Sequence, residues 1–526
     1  MNLIISNLRI PVEKDSPAEY LKAAAEKLKI PEGGLELIRI LSKSLDARGK
    51  KQFYYEMSIA LCVPPDFNNI DGYQEYAEAP PRTYAKPKTA VRPIIIGFGP
   101  AGMFAALELI ERGIKPVIFE RGKKIEERSL DVQRFIKDRV LDPESNIQFG
   151  EGGAGSYSDG KLFSRMKNTE YVSRVLETFI KFGASPDISY ISKPHLGTDV
   201  LCGIVRNIRE YILEMGGEIH YSSKMTDLLV TDSAARGVVI NGDREYLSSA
   251  VYLAVGHSAR DVFALMKEKG VALEQKPISV GVRIEHPADT INLIRHGSKY
   301  KNHLVIGAAS YSFTCNNRAL KRGVFTFCMC PGGEVVNAST ENGMLVLNGM
   351  SYSRRASAFS NSAIVVTCNT DDYGSADPLA GIEFQRLIER RSFAAGGGNW
   401  AVPAQNLPDY LAGKISASIN DNSYKMGAVS ADLRGILPEF VNTALAAAFK
   451  KWKEDEPLFV SEQAVLLGAE TRTSAPVRIS RGENYGSLNI KNLYPVGEGS
   501  GYTGGITSSA ADAIKAVEIT APNFLI

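Results

Sequence analysis

The stretch IIIGFGPAGMFAALELIERGIKPVIFERG, residues 94–122, decides the fold class. The β-branched run 94–96 predicts a strand that is buried on both faces. Glycines at 97, 99 and 102 follow it, and then come a helix-like segment that ends near Gly113 and a second apolar run, PVIFE. The pattern predicts a β-α-β unit in which the N-terminus of the helix faces a phosphate group.

The three glycines of this G-x-G-x-x-G motif have different predicted roles. Gly97 allows the sharp turn, Gly99 lacks the Cβ that would block a close pyrophosphate, and Gly102 lets the helix lie against the strand. Glu120 closes the second strand, about 20 residues beyond the motif, where a carboxylate accepts hydrogen bonds from ribose hydroxyls. An acid at this position favours an unphosphorylated adenosine ribose, as in FAD or NAD, and leaves these two ligands open.

Composition excludes several classes of protein. The chain has 526 residues, of which 44% are hydrophobic and 23% charged, and this is typical of a globular protein with two or three domains. Its net charge of +2 argues against nucleic acid or an anionic membrane as a partner. The six cysteines are scattered, no metal-ligand spacing occurs, and we find no signal peptide or long apolar run. We therefore expect a cytoplasmic protein that binds no metal.

Changes in pattern along the chain predict its domains. Residues 1–79 are expected to form a small α+β domain of βαββ order, and 80–92 a proline-rich linker. We assign 93–274 to the first part of a nucleotide-binding domain, 275–460 to an inserted domain and 461–526 to the C-terminal part of the nucleotide-binding domain. The N-terminal domain is expected to be a packing or docking module. Its basic turn ARGKK keeps binding of RNA or another partner open as an alternative.

Three later stretches favour a flavin over NAD. FGEGGAGSYSDGKL, residues 149–162, offers backbone N–H groups and short hydroxyl side chains to a phosphate or a ribityl chain. Residues 216–261 end in an apolar strand with Ala-Val-Gly, where backbone passes close to a cofactor. In residues 492–517, Gly504 and Gly505 open a second helix whose positive end suits the pyrimidine edge of a reduced flavin.

These motifs occur together and in one order, and they resemble the FAD-binding domain of the glutathione-reductase-like flavoproteins. The stretches FGEGGAGSYSDGKL, KPHLGTD, FCMCPGGEVV, NGMSYSRR and ETRTSAPVRI resemble the bacterial family of uncharacterised FAD-dependent, or NAD(FAD)-utilising, dehydrogenases. The resemblance implies an α/β fold with FAD as the cofactor. In that fold a glutathione-reductase-like Rossmann domain carries an inserted mixed-sheet substrate domain and the small N-terminal domain.

The resemblance also implies roles for individual residues. The pyrophosphate is expected at Gly97, Gly99, Pro100, Ala101 and Gly102, and the adenosine ribose at Glu120 with Arg121 beside it. The remaining residues are expected to follow the rest of the cofactor. Gly153, Gly155, Ser156 and Lys161 are assigned to the pyrophosphate and ribityl region, Met225 to the adenine through its backbone, Ala254 and Gly256 to a path along the cofactor, Glu498 to the ribityl chain, Gly505 and Ile506 to the pyrimidine edge, and Gly497 to cofactor binding without a specific contact.

On the substrate side, the sequence shows no separate β-α-β unit for a pyridine nucleotide. This favours a substrate domain over a domain for a pyridine nucleotide, although NAD(P)H stays open as a transient electron donor. We expect an FAD-dependent oxidoreductase that transfers a hydride at flavin N5 to or from an unidentified small molecule. Two alternatives stay open: a flavoprotein that modifies RNA or binds a partner through its N-terminal domain, and a non-catalytic FAD-binding sensor or scaffold.

One pair and three further residues are considered without a catalytic assignment. Cys328 and Cys330 in CMC are expected to be buried structural thiols, with a flavin-coupled role as the less favoured alternative. His257 is expected to be a polar turn residue. Arg283 and Arg472 either clamp a substrate carboxylate or form internal ion pairs.

Overall fold

The computed structural model describes residues 1–49, 51–78, 80, 82–84, 91–162 and 169–524. Most of the predicted linker, residues 80–92, lies outside these ranges. Within them, no helix combines the length and the apolar character that crossing a membrane requires.

The N-terminal domain has the strand-helix-strand-strand order that its sequence pattern predicts. Its three antiparallel strands lie in the order β1-β3-β2. Its core packs against Tyr300 of the inserted domain, whose ring stacks on Phe53 with 4.2 Å between the ring centroids. The elements are β1 (Asn2–Pro11), α1 (Pro17–Leu28), β2 (Glu36–Asp46) and β3 (Tyr54–Cys62).

A five-stranded parallel sheet forms the centre of the nucleotide-binding part, in the order β22-β10-β4-β5-β6. A three-stranded antiparallel sheet, β7-β8-β9, is inserted before β10. The elements up to residue 268 are β4 (Ile94–Ile96), α2 (Pro100–Glu111), β5 (Val117–Phe119), α3 (Ile125–Asp138), α4 (Thr169–Lys181), α5 (Thr198–Glu214), β6 (Glu218–His220), β7 (Met225–Thr231), β8 (Ala234–Ile240), β9 (Arg244–Leu247), β10 (Val251–Leu253) and α6 (Arg260–Glu268).

The inserted part is built on a seven-stranded mixed sheet in the order β13-β14-β17-β12-β20-β18-β19. Its elements are β11 (Leu273–Gln275), β12 (Ile278–Pro287), α7 (Ala288–Tyr300), β13 (Thr314–Asn317), β14 (Arg322–Cys330), β15 (Glu334–Asn337), β16 (Leu347–Met350), β17 (Phe359–Cys368), α8 (Ala380–Ala395), β18 (Val402–Asn406), α9 (Leu407–Ala412), β19 (Ala428–Ser430), α10 (Glu439–Asp455) and β20 (Val465–Glu470). The chain then returns to the parallel sheet through β21 (Val477–Ile479), β22 (Leu493–Pro495) and α11 (Ile506–Thr520).

Strand β20 lies within 461–526, the range that we assigned to the C-terminal part of the nucleotide-binding domain. It pairs instead with β12 and β18 inside the seven-stranded sheet. All six of its residues are buried, as expected for a strand in the middle of a sheet that is covered on both faces. The inserted sheet therefore continues to residue 470.

Candidate functional site

A cavity of about 410 Å³ lies where the parallel strands end. Ile96, Phe119 and Ala254, at or just beyond the ends of β4, β5 and β10, line one wall. Phe327 and Cys328 on β14 contribute to the opposite wall, which belongs to the seven-stranded sheet. Ligands of open α/β sheets bind at this carboxyl edge of the parallel strands.

The starts of two helices that are far apart in sequence line the same cavity. Gly99 and Pro100 begin α2, and Gly505 and Ile506 begin α11. The first N–H groups of a helix have no partner within it, and the helix dipole makes this end positive. The cavity therefore has two positively polarised ends that suit an extended anionic or electron-rich ligand.

The first turn has its shape because two of its glycines leave no room for a side chain. Gly97 has φ +98°, and a Cβ there would lie 2.5 Å from the carbonyl oxygen of Ala254. A Cβ on Gly102 would lie 2.0 Å from the carbonyl oxygen of Gly97. Because these two positions have no side chain, α2 can lie close against the sheet, as the sequence motif predicts.

The Glu120 carboxylate ties three loops together at the adjoining wall. It accepts hydrogen bonds from the backbone N–H groups of Phe98 (2.7 Å), Gly122 (3.0 Å) and Gly150 (3.0 Å). The side chain is buried and lines the cavity. Its orientation is therefore fixed by the protein, and its predicted contact with a ribose stays a prediction.

The structure brings most of the predicted site residues together. Those that line the cavity are Gly97, Gly99, Pro100, Ala101, Glu120, Arg121, Gly153, Gly155, Lys161, Met225, Ala254, Gly256, Glu498, Gly505 and Ile506.

Three predicted residues do not line the cavity. Gly102 packs against the turn, and a Cβ on Gly497 would lie 2.5 Å from the Cβ of Ala101, so Gly497 allows the two glycine-rich segments to pack. Ser156 is buried with its hydroxyl 3.4 Å from the carbonyl oxygen of Glu151. Its position in a glycine-rich loop does not turn its side chain toward a ligand.

Two predicted cationic residues lie in the cavity wall but already have partners. Arg121 forms ion pairs with Glu144 and Asp261, at 2.6 and 2.9 Å. The Lys161 ammonium lies 2.8 Å from an Asp159 carboxylate oxygen and donates to the carbonyl oxygen of Met329. Lys161 thus contacts β14, whereas we expected it along the pyrophosphate and ribityl chain.

Ionisable groups with shifted pKa values surround the end of the cavity near β14. Burial raises the pKa of Glu498 to about 7, and the Glu498 carboxylate accepts a hydrogen bond from the Gly505 N–H at 3.4 Å. Burial also raises the pKa of Glu470 to about 7, against the opposing charge of Arg283 at 2.8 Å. Burial and nearby arginines lower the pKa of His257 to about 3, so its imidazole is neutral at physiological pH.

The two weighed arginines form internal ion pairs. Arg283 is fully buried and pairs with Glu470. Arg472 pairs with Glu389 at 3.0 Å and donates to the Thr340 hydroxyl at 2.8 Å, while it also lines the cavity. Neither guanidinium is free to clamp a substrate carboxylate without giving up a carboxylate partner.

For several residues that line the cavity, no sequence pattern indicates that they belong to the site. Asp159 and Glu470 lie within the stretches FGEGGAGSYSDGKL and ETRTSAPVRI, but a single acid next to glycine or threonine is common. Asn348 comes from the NGMSYSRR stretch. Only the pairing of distant strands shows that these side chains share one cavity.

The basic turn of the N-terminal domain is partly neutralised. Arg48 forms ion pairs with Asp46 at 2.7 Å and with Glu56 at 3.4 Å. Lys50 lies outside the described residues.

Two family models and a relative of similar length match this chain. Residues 277–473 match the model of the family described as FAD-dependent protein, C-terminal domain-like, and residues 1–62 match a domain of unknown function, DUF8436. An uncharacterized protein of Clostridium beijerinckii is 40% identical over 527 residues, which cover 98% of each chain. The chain belongs to a family of FAD-dependent proteins. The cofactor that the sequence motifs predict is thereby confirmed as FAD.

Solved structures resemble this FAD-dependent protein only distantly. CtdE in complex with FAD is 11% identical and has a TM-score of 0.30 over 82% of this chain and 83% of its own. FqzB is 12% identical with a TM-score of 0.35 over 84% and 76% of the two chains. An open flavocytochrome c3 fumarate reductase is 11% identical with a TM-score of 0.32 over 83% and 78%. With scores this low, the family assignment rests on the sequence matches.

The walls of the cavity fit FAD. Cβ atoms placed on Gly256, Gly504 and Gly505 would meet nothing within 4 Å, so open space adjoins the backbone there. A backbone that faces open space without side chains lets a flat or extended ligand approach closely. The starts of α2 and α11 supply N–H donors, and the Glu120 carboxylate supplies an acceptor. This set of groups suits a dinucleotide.

Proposed function

We propose that the chain is an FAD-dependent oxidoreductase of glutathione-reductase-like arrangement. Its substrate, a small molecule, would lie between the FAD and the seven-stranded sheet. The single observation that carries the proposal is the cavity of about 410 Å³ that the starts of α2 and α11 line together. When bound, FAD supplies hydride transfer at its N5, and the protein supplies orientation and electrostatics.

The residues of this chain divide the task of holding such a cofactor. The N–H groups at the start of α2 would face the pyrophosphate, and those at the start of α11 the pyrimidine edge. Glu120 would bind the adenosine ribose. Met225 and Ala254 line the cavity and would lie along the cofactor.

At the flavin end, Glu498 would bind the ribityl hydroxyls. Because burial raises the pKa of Glu498 to about 7, this carboxyl group carries a proton through much of the physiological range and can donate as well as accept. The Lys161–Asp159 pair and the buried Glu470 lie in the same walls, where they contribute to the local charge.

Purification tests the cofactor assignment. We expect a yellow protein that releases FAD on denaturation, whereas a colourless protein that FAD does not reconstitute would contradict the proposal. A Gly99→Val variant sharpens the test, because Gly99 has ordinary backbone angles and the nearest atom to a Cβ there is the Gly153 Cα at 3.6 Å. The variant should fold but lose FAD. Gly203→Val, in α5 with nothing within 4 Å of the Cβ, is the matched control that should keep it.

Anaerobic reduction tests the reaction. The holoprotein is mixed first with NADH and NADPH and then with a metabolite library, and bleaching of the flavin absorbance is followed. Reduction by a pyridine nucleotide would make NAD(P)H the transient donor, and reduction by a metabolite would make the chain a dehydrogenase. Flavin that no donor reduces and no acceptor reoxidises would favour the non-catalytic sensor instead.

We also propose the cytoplasm as its compartment. All six cysteines are free, as is usual for proteins of reducing compartments. Fractionation of the source cells would test this.

A further inference from the structure

Strand β14 departs from regular strand geometry in the segment CMC, residues 328–330, whose first residue lines the cavity. Cys328 has φ +45°, and the pairing of β14 with β17 shifts register between Phe327 and Cys330. A regular strand would hold two cysteines at this spacing with their Cα atoms about 6.5–7 Å apart, which is a poor geometry for a disulfide. The bulge changes this spacing and the relative direction of the two side chains, because it bends the strand locally.

The two thiols at the bulge have different environments. Cys328 is partly exposed and lines the cavity, whereas Cys330 is fully buried. The Cys330 thiol donates a hydrogen bond to the Cys328 carbonyl oxygen at 3.3 Å. One cysteine therefore faces the ligand space, and the thiol of the second lies against the backbone of the first.

Charges from four segments face Cys328. Lys161 and Arg283 are the cations, and Arg283 also donates to the Cys328 carbonyl oxygen at 2.6 Å. Asp159, Glu470 and Glu498 are the anions.

The positive influence prevails at Cys328. The neighbouring Cys330 thiol and then the charges of Lys161 and Arg283 hold the pKa of the Cys328 thiol below its usual range, although burial and Asp159 oppose them. The neighbouring Cys328 side chain and burial raise the pKa of the Cys330 thiol. These opposite directions favour a thiolate at Cys328 in the cavity and a protonated thiol behind it, an arrangement that suits thiol redox chemistry.

We propose that Cys328 and Cys330 are a redox-active dithiol that exchanges an electron pair with the FAD bound in the cavity. In the oxidising direction, the thiolate and the thiol form one S–S bond and release one proton. Their two electrons reduce FAD to its two-electron-reduced form, which takes up the released proton and, in its fully protonated form, one more from solvent. The reverse step opens the disulfide and restores oxidised FAD.

This inference rests on the proposed function because it needs FAD in the cavity near β14. Its failure is distinguishable from failure of that proposal, because FAD content is measured separately from thiol chemistry.

The first experiment counts electrons and thiols in the purified holoprotein. Anaerobic dithionite titration should consume two equivalents per FAD, one for the flavin and one for the disulfide. Alkylation under denaturing conditions, read by mass spectrometry, should label four of the six cysteines in the air-oxidised protein and all six after reduction. One equivalent per FAD, or six labelled cysteines in the oxidised yellow protein, would overturn the proposal.

Variants identify the pair. Cys328→Ser and Cys330→Ser should each take up only one equivalent of dithionite and should keep their remaining five thiols reduced. Cys368→Ser is the matched control, since Cys368 is a buried cysteine on β17 outside the cavity lining, and this variant should still take up two equivalents. Two equivalents in Cys330→Ser would exclude Cys330 as the partner. If a variant fails to fold, the wild-type counts alone decide.

A second readout does not depend on turnover. The rate at which iodoacetamide alkylates Cys328 in the reduced protein should titrate with a midpoint well below that of an ordinary thiol. Cys330→Ala removes the neighbouring thiol and should slow alkylation, at pH values below both midpoints, by about ten-fold for each unit by which the pKa of Cys328 rises. Cys330→Ser keeps a hydroxyl donor and should retain the low midpoint. A midpoint above pH 8 in the wild type would remove the thiolate on which the exchange depends.

Discussion

The two ends of the cavity are lined by different kinds of chemical group. At the start of α2, glycines and backbone N–H groups form the wall, and the one acid there, Glu120, is held by three backbone hydrogen bonds. Near β14, the wall consists of ionisable side chains: Asp159, Lys161, Cys328, Glu470 and Glu498.

The difference indicates where binding and chemistry are separated. Backbone groups hold a fixed geometry at any physiological pH, which suits the recognition of an invariant nucleotide. Clustered groups with displaced pKa values are typical of sites that move protons or electrons. We infer that the α2 end anchors the cofactor and that the β14 end determines its reactivity, and four predictions test this division.

The largest effect is expected behind the cavity wall, at Glu389. This fully buried carboxylate accepts hydrogen bonds from Arg260 at 2.7 Å and from Arg472 at 3.0 Å, and Arg472 lines the cavity. Glu389→Ala leaves two buried guanidinium groups without this partner and should lower the free energy of unfolding by about 3–5 kcal/mol, measured by urea denaturation. Glu177→Ala removes an exposed pair with Arg82 and should cost less than about 1 kcal/mol. Equal costs would contradict the importance of the buried pair.

The next effect concerns the backbone end. Gly97→Ala introduces a Cβ 2.5 Å from the Ala254 carbonyl oxygen at a φ of +98°. The backbone conformation alone should cost on the order of 1–3 kcal/mol, and the displaced turn should release FAD. The ratio of flavin to protein absorbance after gel filtration measures this. Gly203→Ala, a helix position with open space around the Cβ, should keep FAD and unfold no more easily. Retention of FAD by Gly97→Ala would show that the turn is not needed.

A pH-dependent effect should distinguish the ionisable end. The pKa of Glu498 is about 7 in the folded protein against 4.5 normally, so the folded state binds the proton more tightly. The stability that this provides is complete below about pH 4.5 and is lost as pH rises toward 7. The free energy of unfolding of the wild type minus that of Glu498→Gln should therefore decrease as the pH rises from 5 to 7.5.

A second acid provides the control for Glu498. Burial also raises the pKa of Glu285 to about 7, but Glu285 does not line the cavity. Glu285→Gln should show the same pH trend in stability with an unchanged flavin spectrum, whereas Glu498→Gln should also alter the spectrum. A difference that does not vary with pH in either variant would contradict the raised pKa values.

The smallest effect is expected at Ser156, which has a weak contact of 3.4 Å with the Glu151 carbonyl oxygen and does not line the cavity. Ser156→Ala should change stability by less than about 1 kcal/mol. It should also leave FAD retention within about two-fold of wild type. A large loss of FAD would mean that this hydroxyl turns toward the ligand and that the loop belongs to the binding end.

Local sequence pattern predicted the elements well and the side-chain directions less well. The βαββ order of the N-terminal domain and the turn at 97–102 follow from short-range periodicity and from glycines that only one backbone path requires. Ser156 and Lys161 occupy the predicted glycine-rich loop, yet one is buried on Glu151 and the other contacts β14. Their directions depend on neighbours that the local pattern does not contain.

By itself, the sequence determined the β-α-β nucleotide motif, the acid at 120, the second glycine-rich helix start and, through family resemblance, FAD as the cofactor. Each of the motifs lies within about 30 residues, the length over which backbone preferences and spacing act. Only the tertiary structure placed β20 in the inserted sheet and gathered Lys161, Cys328 and Glu498 around one cavity. Strand pairing, and the mutual shift of the pKa values of ionisable groups, arise between segments that are far apart in the chain. The sequence alone does not give the distance in space between such segments.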